Sequence, residues 1–146
     1  MKALNTFAVA AALAASPFIA SSADACPKDK AKTAELAKVS VKEANTLKKQ
    51  GKIIMVDANS DDTRANVGYV PGARLLTSYN KFKDSELKAS KDDTLVFYCY
   101  NTSCSAAPRA AEVAMKRGYK AKVMDAGVMG WKKAGYKLSK LSRPAS

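Results

Sequence analysis

Two cysteines, five positions apart, are the side chains of this sequence best suited to covalent chemistry. Cys99 ends an apolar run, 94–99, and Cys104 lies just before an alanine-rich segment, 105–117, that the sequence predicts to be a helix. A thiol between a strand and a helix start faces free backbone N–H groups and the positive end of the helix dipole. Both favour the thiolate, so we expect Cys99 to be a reactive nucleophile. The alternative is a buried structural cysteine, as most strand cysteines are.

The chain of 146 residues contains no histidine, and its three cysteines are Cys26, Cys99 and Cys104. The commonest general base and metal ligand is therefore missing. No two of the cysteines have the spacing of a zinc finger. The sequence thus predicts cysteine chemistry that needs neither a metal nor a cofactor. The odd count leaves at least one thiol unpaired or shared between chains, and Cys26 is either a spare thiol or an intermolecular bridge.

The N-terminus has the features of a secretory signal peptide. Lys2 is followed by an apolar stretch, 7–20, and the tripeptide 23–25 (Ala-Asp-Ala) fits the small-x-small cleavage rule. The stretch is short for a membrane span. We expect a periplasmic or secreted protein, cleaved near Ala25 and not stably inserted in a membrane. A lipoprotein beginning at Cys26 is the alternative, but the usual leucine three residues earlier is absent.

The formal net charge of +12 predicts either a simple soluble basic surface or attraction of anions. The anions considered are small oxyanions, acidic partners and a membrane surface. Nucleic acid is not an expected partner, because the aromatic residues do not interleave with a basic stripe. The predicted export also directs the chain away from nucleic acid.

Short apolar strands that alternate with helices predict an α/β fold, in which a parallel central sheet has helices on both faces. Ligands bind beyond the carboxyl ends of such strands, where Cys99 lies. The predicted strands are 53–57, 74–77, 94–99 and 121–124. The first predicted helix begins with a capping box at 40–43, and one helical turn is predicted within 60–67. The other predicted helices are 85–89, 105–116 and 128–133. The predicted organisation is a signal peptide over 1–25, a basic linker over 26–38, one folded domain over 39–138 and a basic tail over 139–146.

Four segments, in this order and spacing, resemble the rhodanese family of single-domain sulfurtransferases. They are 54–57 (IMVD), 68–73 (GYVPGA), 96–99 (VFYC) and 125–136 (DAGVMGWKKAGY). The resemblance covers about residues 39–136 and implies a rhodanese-like fold. It also implies a double displacement, in which the Cys99 thiolate takes the outer sulfur of a donor such as thiosulfate as a persulfide. A thiol or cyanide then accepts that sulfur.

Other residues around Cys99 also have expected roles. The resemblance implies that backbone N–H groups of the loop that follows Cys99 hold an anion and stabilise the persulfide. Asp57 is expected to bind backbone near the loop, and Arg109 is either an anion ligand or a solvent-exposed side chain. Cys104 is a resolving thiol, a disulfide partner of Cys99 or an inert residue at a helix start. The loop residues are Tyr100, Asn101, Thr102, Ser103, Cys104 and Ser105.

The sequence departs from the family pattern at the same site. Asn59 stands where the family has arginine, Tyr69 stands where it has histidine, and the loop contains neither glycine nor a basic residue. Three hypotheses therefore remain open. The favoured one is an exported sulfurtransferase that uses a small anionic sulfur donor and a thiol acceptor or redox partner protein. The others are a thiol–disulfide or redox-sensing module using Cys99 and Cys104, and a non-catalytic domain that binds a partner or an anion.

Overall fold

The computed structural model describes residues 36–142. The predicted signal peptide, Cys26, most of the predicted linker and residues 143–146 of the predicted tail lie outside this range. The helices and strands are α1 (Val41–Lys49), β1 (Ile54–Asp57), α2 (Asp61–Asn66), β2 (Arg74–Leu75), α3 (Asp84–Leu87), β3 (Thr94–Tyr98), α4 (Ala106–Lys116), β4 (Lys120–Val123) and α5 (Gly127–Lys133). Most of their boundaries fall within a residue or two of those predicted from the sequence.

All four strands run parallel, in the order β2-β1-β3-β4, which confirms the predicted α/β fold. β1 and β3 lie in the centre of the sheet and are therefore covered on both faces, as their unbroken apolar sequences predict. Leu95 and Phe97 of β3 pack on the side of α4, whereas Val96 and Tyr98 pack on the side of α1 and α5. The sheet thus separates two apolar clusters and delivers the end of β3 to the candidate site.

Helix α4 packs closely on the sheet because its buried face consists of small side chains. That face is formed by Ala107, Ala110, Ala111 and Ala114, all of them at most 1% exposed. The helix begins directly after the loop that contains Cys104, so this packing fixes the position of its first turn relative to β3. The first turn carries the backbone N–H groups that face the candidate site.

Both ends of the predicted domain extend slightly further than the sequence indicated. The Val39 amide bonds the Val123 carbonyl at 2.9 Å, and the Val123 amide bonds the Ala37 carbonyl at 2.9 Å. At the other end, Tyr69 and Ser139 form an antiparallel bridge. Residues 37–38 are therefore part of the sheet edge and not of a linker, and Ser139 is part of the fold and not of a tail. Among the helices of residues 36–142, none combines the length and the apolar composition that a membrane span requires.

Candidate functional site

The two cysteines lie together at the carboxyl end of β3. Cys99 follows the last residue of the strand and is 2% exposed, whereas Cys104 is partly exposed. Both are free thiols. The Cys99 Sγ–H donates a hydrogen bond to the Cys104 carbonyl oxygen at 3.2 Å, and the two thiols are also close enough to affect each other's ionisation. The site is therefore a contacting pair of thiols, and not an isolated nucleophile.

The loop between the cysteines uses some of its own backbone donors. The Cys104 amide bonds the Asn101 carbonyl at 3.1 Å, and the Ser103 amide bonds Asn101 Oδ1 at 3.1 Å. These two N–H groups are thus occupied within the loop, although the sequence analysis assigned them to an anion. The N–H groups that face the thiols belong instead to Tyr100, Ala106 and Ala107. Two of these three lie in the first turn of α4 and were not among the predicted site residues.

The ionisation of the two thiols is the reverse of the sequence-based expectation for Cys99. Burial raises the pKa of Cys99 to about 12, with a further contribution from the neighbouring Cys104 thiol. The pKa of Cys104 is lowered, because hydrogen bonds from Cys99 and from backbone N–H groups outweigh its partial burial. The N–H groups of Tyr100 and Ala107 lower the pKa of Cys99 as well, but its burial outweighs them, so the expected preference for a thiolate is not met at Cys99.

This difference predicts two distinct pH profiles for alkylation of the native, reduced protein by iodoacetamide. The rate at Cys104 is expected to rise with a midpoint below that of the same cysteine in the unfolded protein, because its pKa is lowered and only the thiolate reacts. Cys99 is expected to stay unmodified up to about pH 10, since it is buried and protonated. Peptide mapping after a chymotryptic cut at Tyr100 separates the two cysteines. Urea-denatured protein, in which both should react alike, is the control, and faster labelling of Cys99 in the native state would contradict the assignment.

Helix α5 holds the start of the loop. The Val128 amide bonds the Cys99 carbonyl at 2.8 Å, and the Met129 amide bonds the Tyr100 carbonyl at 3.0 Å. Gly127 allows this approach, because a Cβ at that position would lie 2.5 Å from the Tyr100 oxygen and 2.6 Å from the Cys99 oxygen. The first turn of α5 is therefore the support on which the backbone of Cys99 and Tyr100 rests.

Asp57 occupies the neighbouring strand end, as expected, and is fully buried. Its Oδ1 accepts hydrogen bonds from the Asn59 amide at 2.7 Å and from Arg64 Nε at 3.3 Å. Burial raises the pKa of Asp57, although the Tyr98 hydroxyl and the Arg64 guanidinium both oppose the shift. Asp57 thus orders the backbone after β1, beside the strand that leads to Cys99.

Arg64 is a buried structural residue that the sequence analysis missed. It is 3% exposed, and its Nη2 donates to the carbonyls of Asp57 at 3.0 Å and Leu76 at 2.8 Å. It therefore joins the ends of β1 and β2. The signal that could have revealed it is Asn59, because a buried aspartate without the usual nearby arginine needs a cation from elsewhere.

Of the remaining predicted residues, the structure places Asn101 and Thr102 at a cavity beside the loop, but not Arg109. Arg109 is exposed on α4, and Ser105 precedes the helix and accepts the Arg109 amide at 3.2 Å. Asn101 and Thr102 line an open cavity of about 700 Å³ that also contains Lys132 and Lys133. Among residues 36–142, no three histidine, cysteine, aspartate or glutamate residues are grouped as metal ligands would be.

A second cavity, of about 380 Å³, opens on the other side of the loop. Cys104 lines it and Cys99 does not. Its walls include Pro108 and Glu112 of α4, as well as Asp125, whose carboxylate forms an ion pair with Lys38 at 2.7 Å. The thiol pair is thus accessible from this groove through Cys104.

A comparison with known protein families identifies the class of protein that has this parallel sheet, with a cysteine at the end of β3 and a loop lined by amides. Residues 40–134 match the rhodanese-like domain family, and the chain belongs to that family. A comparison with curated proteins found no match.

Solved structures show the same fold. A protein of Bacillus halodurans is 22% identical, with a TM-score of 0.63, over 71% of this chain and 77% of that one. A rhodanese-like domain protein of Staphylococcus aureus is 19% identical, with a TM-score of 0.59, over 72% of this chain and 100% of that one. A rhodanese-related protein of Thermoplasma volcanium is 12% identical, with a TM-score of 0.58, over 70% of this chain and 96% of that one. At these identities the comparison establishes the rhodanese-like fold.

Proposed function

We propose that this rhodanese-like protein is a sulfurtransferase that carries a sulfane sulfur as a persulfide at the Cys99–Cys104 pair. The observation that supports this most strongly is the pair of free thiols at the end of β3, facing the N–H groups of Tyr100, Ala106 and Ala107. Such donors stabilise a thiolate, a persulfide and the negative charge of an arriving anion. The assignment of the persulfide to Cys99 itself stays a prediction from the sequence.

The proposed reaction is a double displacement that needs no general base on a neighbouring side chain. A thiolate of the pair attacks the outer sulfur of thiosulfate, a new S–S bond forms, and sulfite leaves with the electrons of the broken S–S bond. A thiol or cyanide then attacks the outer sulfur of the persulfide and restores the enzyme thiolate. We propose that this takes place in the periplasm or outside the cell, as the N-terminal sequence predicts.

The first test is sulfite release in a single turnover. Reduced protein carrying Cys26→Ser, which removes the third thiol, is expected to release about one sulfite per chain from excess thiosulfate. The matched control adds Cys99→Ala and Cys104→Ser, with retention of the fold checked by circular dichroism. Sulfite release by the thiol-containing protein at the rate of this control would refute a sulfurtransferase that uses thiosulfate.

A thiol–disulfide module is the second candidate, and the contact between Cys99 and Cys104 favours it. Two thiols that already interact are placed to form a reversible disulfide with a redox partner protein. Sulfite release, measured together with disulfide formation, separates the two candidate functions. A protein that forms the disulfide in a glutathione redox buffer, but releases no sulfite from thiosulfate, is a redox module.

A further inference from the structure

The thiol that a solute meets first is Cys104. Cys104 lines the 380 Å³ groove and is partly exposed, whereas Cys99 lies behind the loop with 2% of its surface exposed. A sulfur donor must align its S–S bond with the attacking sulfur, so an attacking thiol needs open space in front of it. The groove supplies that space to Cys104 and not to Cys99.

The hydrogen bonds around the two sulfurs distinguish them in the same way. The Cys99 S–H donates a hydrogen bond to the Cys104 carbonyl oxygen, and a hydrogen bond donated by the neutral thiol favours that neutral form. The N–H groups of Tyr100 and Ala107 favour the thiolate of both cysteines, whereas that of Ala106 acts on Cys104 alone, so Cys104 has one more such donor. The raised pKa of Cys99 and the lowered pKa of Cys104 agree with this division.

We propose that Cys104 is the thiol that takes the sulfur from the donor and that Cys99 is the resolving thiol, a reversal of the roles that the sequence suggests. The proposal rests on the proposed sulfurtransferase function: it keeps the transfer of sulfur from the donor to the protein, and it replaces the attack by an external thiol or cyanide with attack by Cys99. Cys104 is then a catalytic residue in the strict sense, because it bonds the transferred sulfur. Cys99 acts second, from beneath the loop.

Atoms and electrons balance in both steps of the proposed reaction. In the first, the Cys104 thiolate attacks the outer sulfur of thiosulfate, forms the Cys104 persulfide and expels sulfite. In the second, the Cys99 sulfur attacks the inner sulfur of that persulfide, and the bond to the outer sulfur breaks. The products are a Cys99–Cys104 disulfide and hydrogen sulfide, which takes the Cys99 proton. The two thiols are oxidised while the sulfane sulfur is reduced, so further turnover requires a dithiol reductant such as a redox partner protein.

A rapid-quench experiment tests the order of the thiols without altering either of them. Reduced Cys26→Ser protein is mixed with thiosulfate and quenched at increasing times with an alkylating agent, and the cysteines are mapped after a chymotryptic cut at Tyr100. The extra sulfur is expected on the Cys104 peptide first. A Cys99–Cys104 disulfide and about one hydrogen sulfide per chain should follow. An extra sulfur that appears first on Cys99 would overturn the proposal.

Two single variants provide the second measurement, in the same Cys26→Ser background. Cys99→Ala is expected to retain the persulfide on Cys104 and to produce no hydrogen sulfide. Its sulfite release should slow, because the hydrogen bond from Cys99 that lowers the pKa of Cys104 is lost, but by less than in Cys104→Ser. Cys104→Ser is expected to release sulfite at least about tenfold more slowly, because the buried Cys99 remains largely protonated. Rapid sulfite release by Cys104→Ser, together with loss of release in Cys99→Ala, would refute the proposed order.

These outcomes are distinguishable from failure of the sulfurtransferase proposal itself. If the parent protein releases no sulfite, the function is wrong and both variants are silent as well. If the parent is active but the variants respond in the opposite way, the function stands and the order of the thiols is wrong. Release of sulfite without any disulfide or hydrogen sulfide would show that Cys99 does not resolve the persulfide, and would also overturn the proposal.

Discussion

Replacing Arg64 with alanine is expected to lower the free energy of unfolding by about 3–5 kcal/mol, the usual loss when one partner of a buried ion pair is removed. The guanidinium is 3% exposed and bonds the Asp57 carboxylate together with the carbonyls of Asp57 and Leu76. The variant leaves a fully buried carboxylate and two carbonyl oxygens without this donor. Urea unfolding followed by circular dichroism measures the loss.

Arg109→Ala is the matched control, because it removes the same side chain from an exposed position on α4. Its effect should stay within about 0.5 kcal/mol. Arg64→Lys keeps the positive charge but not the planar set of donors, so it should fall between the two variants. Equal stabilities of the Arg64→Ala and Arg109→Ala proteins would contradict the role assigned to Arg64.

The loss caused by Arg64→Ala should depend on pH in a definite direction. Burial already raises the pKa of Asp57 in the folded protein, and removal of the guanidinium raises it further. A raised folded-state pKa means that ionisation of Asp57 costs stability as the pH rises through that pKa. The difference between Arg64→Ala and Arg109→Ala should therefore be smaller at about pH 4 than at about pH 7. A difference that grows as the pH falls would contradict this account.

Replacing Gly127 with alanine is expected to destabilise the protein and to disturb the thiol site. Gly127 has a φ of +61°, which costs a residue with a Cβ about 1–2 kcal/mol. The new Cβ would also lie 2.5 Å and 2.6 Å from the carbonyl oxygens of Tyr100 and Cys99, and this overpacking adds about 1–3 kcal/mol. Because these contacts are with backbone, no side chain can rotate away to relieve them.

Gly51→Ala separates the two contributions. Gly51 has a φ of +68°, close to that of Gly127, but a Cβ there would meet nothing within 4 Å. The difference in unfolding free energy between the two variants should thus be the cost of the contacts, about 1–3 kcal/mol. Displacement of the loop should also slow sulfite release on the order of 10²-fold in Gly127→Ala and leave it unchanged in Gly51→Ala. Equal effects of the two substitutions would show that the contact with the loop has no consequence.

Most of the fold could be predicted because short segments of the sequence carry the pattern of the helix or strand that they form. The unbroken apolar runs of β1 and β3 predict strands covered on both faces, and the alanine face of α4 predicts a helix lying close to a sheet. Ser40 at the start of α1 accepts the Glu43 amide at 3.2 Å, as a capping residue does. The boundaries at 37–38 and at 139 were misplaced, because pairing with Val123 and with Tyr69 decides the structure there and the local sequence resembles a linker or a tail.

The candidate site was predicted less completely than the fold. The sequence identified the two cysteines, their loop and Asp57, because these follow strands whose carboxyl ends meet at one edge of the sheet. It did not identify Arg64, since no local pattern says which of several arginines turns inward. The sequence also predicts that the N–H groups of Ser103 and Cys104 bind an anion, whereas in the folded loop both donate hydrogen bonds to Asn101.

The sequence alone determined the class of this protein. The alternation of strands and helices predicts a parallel α/β fold, and the resemblance of four segments implies the rhodanese family. The absence of histidine leaves cysteine as the only candidate nucleophile with strong intrinsic reactivity. The tertiary structure decided the difference between the two cysteines. Burial in low-dielectric surroundings and the direction of a few N–H groups set the pKa of a thiol, and both depend on segments distant in the sequence. Cys99 is therefore buried and protonated, whereas Cys104 faces the groove.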